Sequence, residues 1–173
     1  MGALHPRKNI GNLIQAFDLF KKDDDKETKL VIVGREAWAT AEMKEMYMQS
    51  EYRQDVYFTG RLSDSELNFV YQRALALTYV SLFEGFGIPI IEAQANGVAV
   101  ITSKTSSMPE VAGDAAVLVN PKNPVSIANG MSLLSTDEEL RSEYIEKGRR
   151  NLIRFSWDYA AEKVMKVILK ATH

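Results

Sequence analysis

Two glutamates flank a glycine turn near the middle of the chain. Glu84 and Glu92 lie eight positions apart, and Gly85, Phe86 and Gly87 follow the first glutamate. The preceding residues, LALTYV, predict a strand, and the following residues, PIIEAQAN, predict a helix. The glycine turn is therefore expected where a strand passes into the N-terminus of a helix.

That helix is expected to begin at Pro89 and to end before Gly97. Proline suits the first helical turn because its missing N–H has no partner there, and glycine suits the position just past the end. A helix N-terminus presents unpaired backbone N–H groups and the positive end of the helix dipole. The backbone at Gly85–Ile88 is therefore a candidate anion site.

Strands and helices alternate along the chain, with short connections between them. Apolar runs such as LVIV and VAVITS predict strands buried on both faces, and apolar residues at helical spacing predict helices between them. The alternation predicts an α/β fold, a Rossmann-like doubly wound parallel sheet of about six strands with helices on both faces. We find no repeat and no linker, so residues 1–173 are expected to form a single domain.

The expected strand order brings a second segment to the anion site. In the order 3-2-1-4-5-6, the first and fourth strands are neighbours at the point where ligands bind. The first strand is expected at Met1–Leu4, and the loop that follows it, HPRKN, contains Arg7 and Lys8. Two cations and a helix N-terminus fit a diphosphate better than a single carboxylate.

Composition excludes several other kinds of site. The 173 residues include 21 basic and 23 acidic residues, and this near-balance gives no reason to expect a nucleic-acid partner. The chain has no cysteine and two histidines, so a disulfide framework, a Cys-based zinc site and a histidine metal cluster are excluded. No apolar run has the length of a membrane span, and a reducing compartment is permitted.

Each candidate side chain also has a purely structural interpretation. Glu92 lies on a helix that is apolar nearly all round, where a carboxylate is costly unless it is paired, but it could instead face the solvent rim. Glu84 could simply favour the dipole of the helix that follows it. Arg7 and Lys8 taken alone are typical of a solvated loop.

Two further loops are candidates for ligand contact. Arg61–Asp64 follows the third strand, on the half of the sheet where the base of a nucleotide often lies. Within it, Ser63 and Glu66 have the spacing of a capping box. Ser106 and Ser107, in the loop after the fifth strand, could reach a ligand or could belong to a polar connection.

Two expectations concern the C-terminal helices. Thr136 and Glu139 have the spacing of a second capping box, which would begin a helix that continues to Arg150. Trp157 is expected to pack the last helix onto the sheet.

Six motifs in a fixed order carry a resemblance to a known family. They are HPRKN, LVIVG, FTGRLSDSEL, EGFGIPIIEAQANGVAVITS, SSMPEVAGDAA and FSW. Together they resemble the C-terminal domain of the GT-B glycosyltransferases of family 4, also called glycosyl transferases group 1. The resemblance runs from Ala3 to the last helix. The segments HPRKN and EGFGIPIIEA are most similar to those of mannosyltransferases of surface-polysaccharide assembly.

The resemblance implies a role for each matched residue. Lys8, with Arg7, would neutralise the donor diphosphate, and Glu84 would bind hydroxyls of the donor sugar, so Glu84 and Lys8 are the implied catalytic residues. The implied substrate-binding residues are Arg7, Lys8, Arg61, Leu62, Asp64, Glu84, Gly85, Phe86, Gly87, Ile88 and Glu92. Glu92 would bind the ribose and the Arg61–Asp64 loop the base. Ala3 departs from the family, because many members have a basic residue there.

The resemblance also implies an activity and its context. Members transfer a hexose with retention of configuration from GDP-mannose or a UDP-sugar to an acceptor hydroxyl, with no metal or other cofactor for the phosphate. They work in polysaccharide or glycoconjugate synthesis in the cytoplasm. A preceding acceptor-binding domain is absent from this chain, so we expect a fragment or excised domain that is inactive alone. Any contact with the inner face of a membrane would be made by the absent half.

Three other interpretations remain open from the residues. A non-catalytic nucleotide-sugar-binding module would keep the fold, although Glu84, Glu92 and Lys8 are all in place. A GT-B nucleotide-sugar epimerase would share the architecture. A flavodoxin-like domain would need a phosphate loop or acidic cluster after the first strand, where HPRKN is basic.

Overall fold

The computed structural model describes residues 5–34 and 41–171. Within these ranges, strands and helices alternate as the sequence predicts. The strands are β1 (Leu30–Val33), β2 (Val56–Gly60), β3 (Ala76–Tyr79), β4 (Ala99–Ser103) and β5 (Val117–Val119). The helices are α1 (Ile10–Lys21), α2 (Ala41–Gln49), α3 (Asp64–Tyr71), α4 (Ile88–Ala95), α5 (Met108–Ala112), α6 (Pro124–Thr136), α7 (Glu138–Asn151) and α8 (Trp157–Ala171).

All strand pairs among these residues are parallel. β1 pairs with β2, and β3, β4 and β5 pair in that order. These pairings agree with the expected order on both sides of its first strand. The strand predicted at Met1–Leu4, which would join the two groups, lies outside the described residues, as does the predicted start of α2 at Trp38.

The centre of the sheet is covered on both faces, which confirms the doubly wound α/β fold. Every residue of β4 is buried. Ala99 and Ile101 pack into a core with α1 and α6, while Val98 and Val100 pack into a second core with α4 and α5. Alternate residues of one strand thus point to opposite cores, which is why VAVITS is almost continuously apolar.

The helical periodicity that predicts α1 is confirmed by burial. Leu13, Ile14 and Phe17 are each at most 5% exposed, and all three lie on the face that packs against the sheet and α6. Burial of such side chains is worth about 1.5–3 kcal/mol each. The packing fixes α1, and with it the loop that precedes α1.

The predicted capping box at Thr136 is wrong. Thr136 is the last residue of α6, and its hydroxyl donates to the Ser132 carbonyl at 2.8 Å, as a helical threonine often does. The next residue, Asp137, caps α7 instead by accepting from the Leu140 N–H at 2.8 Å. Aspartate suits an N-cap as well as threonine does, and the Thr136 hydroxyl was not available because it is already hydrogen-bonded inside α6.

The expected packing of Trp157 is also wrong. Its side chain is 90% exposed, and no described residue of α8 is buried. Two residues earlier, the Phe155 ring packs edge-to-face against Phe86, with 5.8 Å between the ring centroids. Phe155 therefore connects the segment before α8 to the glycine turn. No helix among the described residues is long and apolar enough to span a bilayer.

Candidate functional site

The HPRKN loop is fastened to the carboxyl end of β3. Asn9 adopts a left-handed backbone conformation at φ 61° just before α1, and its side-chain amide donates to the carbonyls of Val80 at 3.0 Å and Pro121 at 2.7 Å. The Leu82 N–H donates to the Arg7 carbonyl at 2.8 Å. Asparagine tolerates the left-handed region and carries two donors, so it suits this position. These bonds fix where the basic side chains lie.

The structure places both cations of this loop beside Glu84. Lys8 Nζ lies 2.6 Å from Glu84 Oε1, and the two side chains are 12% and 10% exposed. Arg7 Nε lies 3.8 Å from Glu84 Oε2, and the Arg7 side chain is 48% exposed. The sequence predicts that these cations lie near the glycine turn, but it does not predict the ion pair between Lys8 and Glu84. Two cations and one carboxylate leave this corner with a net positive charge.

The Glu84 carboxyl is held in its ionised form. Burial alone would raise its pKa, but the hydrogen bond from Lys8, the nearby Ser81 and Tyr79 hydroxyls and the charge of Lys8 outweigh burial, so the pKa lies below its ordinary value. An ionised carboxylate only accepts hydrogen bonds. Glu84 can therefore receive the N–H of Lys8 and also a hydroxyl donor of a ligand.

The lowered pKa of Glu84 predicts a contribution to stability that depends on pH. Because the folded pKa lies below the unfolded one, this stabilisation is fully present above the ordinary pKa of 4.5 and is lost as the pH falls through the lower folded value. The unfolding free energies of wild type and Glu84→Gln should therefore differ most near neutrality and converge between about pH 5 and 3. Urea unfolding at several pH values measures this difference. A difference that stays constant over that range would contradict it.

Two serines of the loop after β4 hold the glycine turn. Ser106 Oγ lies 3.2 Å from the Glu84 N and 2.8 Å from the Glu84 carbonyl oxygen. Ser107 Oγ donates to the Phe86 carbonyl at 2.6 Å and also lies 3.0 Å from the Glu84 carbonyl oxygen. Of the two roles open to these hydroxyls, the structure shows the structural one. The segment expected to be entirely loop also contains the short helix α5.

The turn leads into α4 through a backbone conformation that favours glycine. Gly87 has φ 122° and accepts a hydrogen bond from the Ile90 N–H at 2.9 Å. An added Cβ would lie 3.2 Å from Ile90 Cδ1, inside ordinary contact distance. Gly85 has open space around it. The N-terminus of α4, at Ile88, thus follows Glu84 by four residues along the turn.

Glu92 lies one helical turn into α4 and is half-buried. The hydroxyl of Tyr71, the last residue of α3, lies 3.4 Å from Glu92 Oε2 and 3.4 Å from the Pro89 carbonyl oxygen. Burial raises the pKa of Tyr71, and the nearby Glu92 raises it further, so the hydroxyl remains a neutral donor. Sequence reasoning missed Tyr71, although a buried tyrosine usually needs a partner for its hydroxyl.

The Arg61–Asp64 loop stands apart from this cluster. Arg61 and Asp64 are exposed and Leu62 is half-buried. The predicted capping box is confirmed, because the side chain of Ser63 accepts from the N–H of Glu66 and the Glu66 carboxylate accepts from the Ser63 N–H at 2.8 Å. The structure brings Lys8, Arg7 and Glu84 together, whereas this loop shares none of the hydrogen bonds described above.

The side chain that sequence reasoning missed at the centre of the site is Tyr79. Its hydroxyl accepts a hydrogen bond from Lys8 Nζ at 2.9 Å, and its ring lies under the same ammonium group at 4.9 Å. A tyrosine at the carboxyl end of a predicted strand, where ligands are expected, is the signal that could have identified it. In residues 5–34 and 41–171, no group of three or more histidine, aspartate or glutamate side chains is arranged to hold a metal ion.

The chain is similar in sequence to curated mannosyltransferases. The chain is 30% identical over 158 residues to the O-antigen chain mannosyltransferase B of Escherichia coli, which covers 91% of this chain and 42% of that protein. It is 31% identical over 164 residues to the O-antigen chain mannosyltransferase RfbU of Salmonella typhimurium, covering 95% and 44%. The chain thus spans less than half the length of these relatives.

Solved structures give the same fold. The crystal structure of the C-terminal domain of the glycosyl transferase group 1 family protein LpcC from Francisella tularensis superposes with a TM-score of 0.76 at 26% identity, covering 89% of this chain and 82% of that one. Parallel strands flanked by helices match the GT-B glycosyltransferases. The family model described as "Glycosyl transferases group 1" matches residues 1–151. The chain belongs to the group 1 family of glycosyl transferases.

Proposed function

We propose that this chain is the nucleotide-sugar donor-binding domain of a retaining glycosyltransferase. The parent enzyme would move a hexose from GDP-mannose or a UDP-sugar to an acceptor hydroxyl. The observation that supports the proposal best is the Lys8–Glu84 pair, at 2.6 Å, beside a glycine turn and the N-terminus of α4. It combines a cation and an ionised carboxylate four residues before the N-terminus of α4, whose backbone donors would face the same ligand.

In this proposal the cations act on the leaving group. The bond between the anomeric carbon and the diphosphate breaks and its electron pair passes to the phosphate oxygen. The acceptor oxygen bonds to the carbon, and its proton passes to an oxygen of the departing diphosphate. Negative charge therefore grows on the diphosphate. Lys8, the more exposed Arg7 and the backbone N–H groups at Gly85–Ile88 would stabilise that charge, because preorganised donors act more strongly in a partly buried site.

The carboxylates and the remaining loop would bind the rest of the donor. Glu84 would accept hydrogen bonds from the sugar hydroxyls, and its lowered pKa keeps it in the accepting form. Glu92, half-buried and next to the Tyr71 hydroxyl, would bind the ribose. The exposed Arg61–Asp64 loop, including Leu62, would contact the base. The side chains of Phe86 and Ile88, 43% and 55% exposed, would cover the donor from the turn.

The context of the reaction is part of the proposal. Both relatives are O-antigen chain mannosyltransferases, which favours mannose as the sugar and surface-polysaccharide synthesis, with its cytoplasmic donors, as the setting. The acceptor would bind to a second domain of the parent protein, so this chain alone is not expected to transfer sugar. No metal cofactor is invoked, because the cations and the α4 N-terminus would neutralise the diphosphate.

Binding of a nucleoside diphosphate tests the proposal directly. The folded chain is expected to bind GDP or UDP without added Mg²⁺, with a dissociation constant on the order of 10–1,000 µM. Isothermal titration calorimetry in EDTA measures this, and adding Mg²⁺ should not strengthen it more than about twofold. The proposal would be overturned if neither GDP nor UDP bound to the folded protein.

A further inference from the structure

The Tyr79 hydroxyl occupies a position fixed by the sheet. Tyr79 is the last residue of β3, is 5% exposed and pairs with Thr102 of β4. The Thr102 hydroxyl donates to the Tyr79 carbonyl at 2.8 Å, which secures the backbone at the strand end. A tyrosine side chain has only two principal torsions, so a fixed backbone and a buried ring leave its hydroxyl little freedom.

The Lys8 ammonium group is held by two acceptors. It lies 2.6 Å from Glu84 Oε1 and 2.9 Å from the Tyr79 oxygen, with the Tyr79 ring 4.9 Å away. An ammonium group has three N–H donors. Among the described residues two of these donors have acceptors, which leaves one for a ligand. An unrestrained lysine would lose much of its side-chain entropy on binding an anion. Here most of that ordering exists before a ligand arrives.

The two acceptors differ in charge. Glu84 is ionised and cancels the charge of Lys8. Burial raises the pKa of Tyr79, although Lys8 opposes this rise, so the phenol is neutral at physiological pH. The Tyr79 hydroxyl therefore fixes the ammonium group without neutralising it, which a second carboxylate could not do.

We propose that Tyr79 is a positioning residue for the donor diphosphate: its hydroxyl and Glu84 together hold the Lys8 ammonium so that one N–H remains for a phosphate oxygen. This inference rests on the donor-binding function proposed above. It adds a residue outside the motifs that carry the family resemblance.

Tyr79→Phe tests the inference because it removes one oxygen atom and keeps the ring. The variant is expected to bind the diphosphate about 3- to 20-fold more weakly than wild type, while its affinity for the matching nucleoside is unchanged. In a Lys8→Met background, the same substitution should have no further effect. Titration calorimetry with GDP or UDP, and competition NMR with guanosine or uridine, give the two affinities.

Tyr144→Phe is the matched control. Tyr144 also has a lysine over its ring, with Lys147 Nζ 5.2 Å away, but it lies on α7. This variant should bind both ligands like wild type, and circular dichroism should show that both variants are folded.

The outcomes separate this inference from the proposed function. If wild type binds neither diphosphate, the donor-binding function itself fails. If wild type binds and Lys8→Met weakens binding but Tyr79→Phe does not, only the role of Tyr79 is refuted. Equal losses for diphosphate and nucleoside, or a further loss in the Lys8→Met background, would also refute it, because the effect would then be structural.

Discussion

Replacement of Lys8 by methionine should weaken nucleoside diphosphate binding by about 30- to 100-fold, with little change for the nucleoside. A charge-assisted hydrogen bond is worth about 1.5–3 kcal/mol, and 1.4 kcal/mol is a tenfold change in affinity. The loss has a second cause. Removing Lys8 leaves Glu84, 10% exposed, without its closest cation, so an unpaired carboxylate would then face the phosphate. Titration calorimetry with both ligands measures the selectivity of the loss.

Two matched variants separate these causes. Arg7→Met removes a cation whose side chain is 48% exposed and 3.8 Å from Glu84, so a smaller loss of about 2- to 5-fold is expected. Lys8→Met combined with Glu84→Gln removes the unpaired charge and should recover part of the affinity lost in Lys8→Met. The assigned role of Lys8 would be wrong if Lys8→Met weakened nucleoside and diphosphate binding equally.

Gly87→Ala should both destabilise the domain and disturb the anion site. At φ 122° an alanine is strained, and its Cβ would approach Ile90 Cδ1 to 3.2 Å. Strain of this kind costs about 1–3 kcal/mol. The strain can be relieved only if the turn moves, and the backbone N–H groups at the start of α4 would then move with it. We expect a lower unfolding temperature and at least about tenfold weaker diphosphate binding, measured well below that temperature.

Gly85→Ala provides the comparison for stability. A Cβ at Gly85 meets no atom within 4 Å, and Gly85 is not among the glycines with positive φ. Its unfolding temperature should therefore stay close to that of wild type. Identical unfolding temperatures for the two alanine variants would show that the Gly87 conformation does not require glycine.

The fold could be predicted from sequence because its signals are local and numerous. The apolar run LVIV coincides with β1, and the apolar spacing within α1 indicates its buried face. Where two local signals competed, the prediction failed. Thr136 and Asp137 both suit an N-cap, and burial and hydrogen bonding inside α6 decided between them.

Contacts between distant segments explain the other wrong expectation. Trp157 was expected to pack because it is large and apolar, yet the aromatic contact is made by Phe155 with Phe86. Spacing within α8 does not indicate which residue meets a turn some seventy positions earlier in the sequence. Only the path of the chain after α7 decides that.

The sequence by itself determined that a glycine turn, a helix N-terminus and two cations belong to a parallel α/β fold, because strand and helix periodicity and turn residues are local signals. The tertiary structure decided how those cations are used. It paired Lys8 with Glu84, left Arg7 more exposed and put the Tyr79 hydroxyl against the ammonium group. Those contacts depend on parallel strands and a loop fastened by Asn9, which set distances of a few ångströms between residues far apart in the chain.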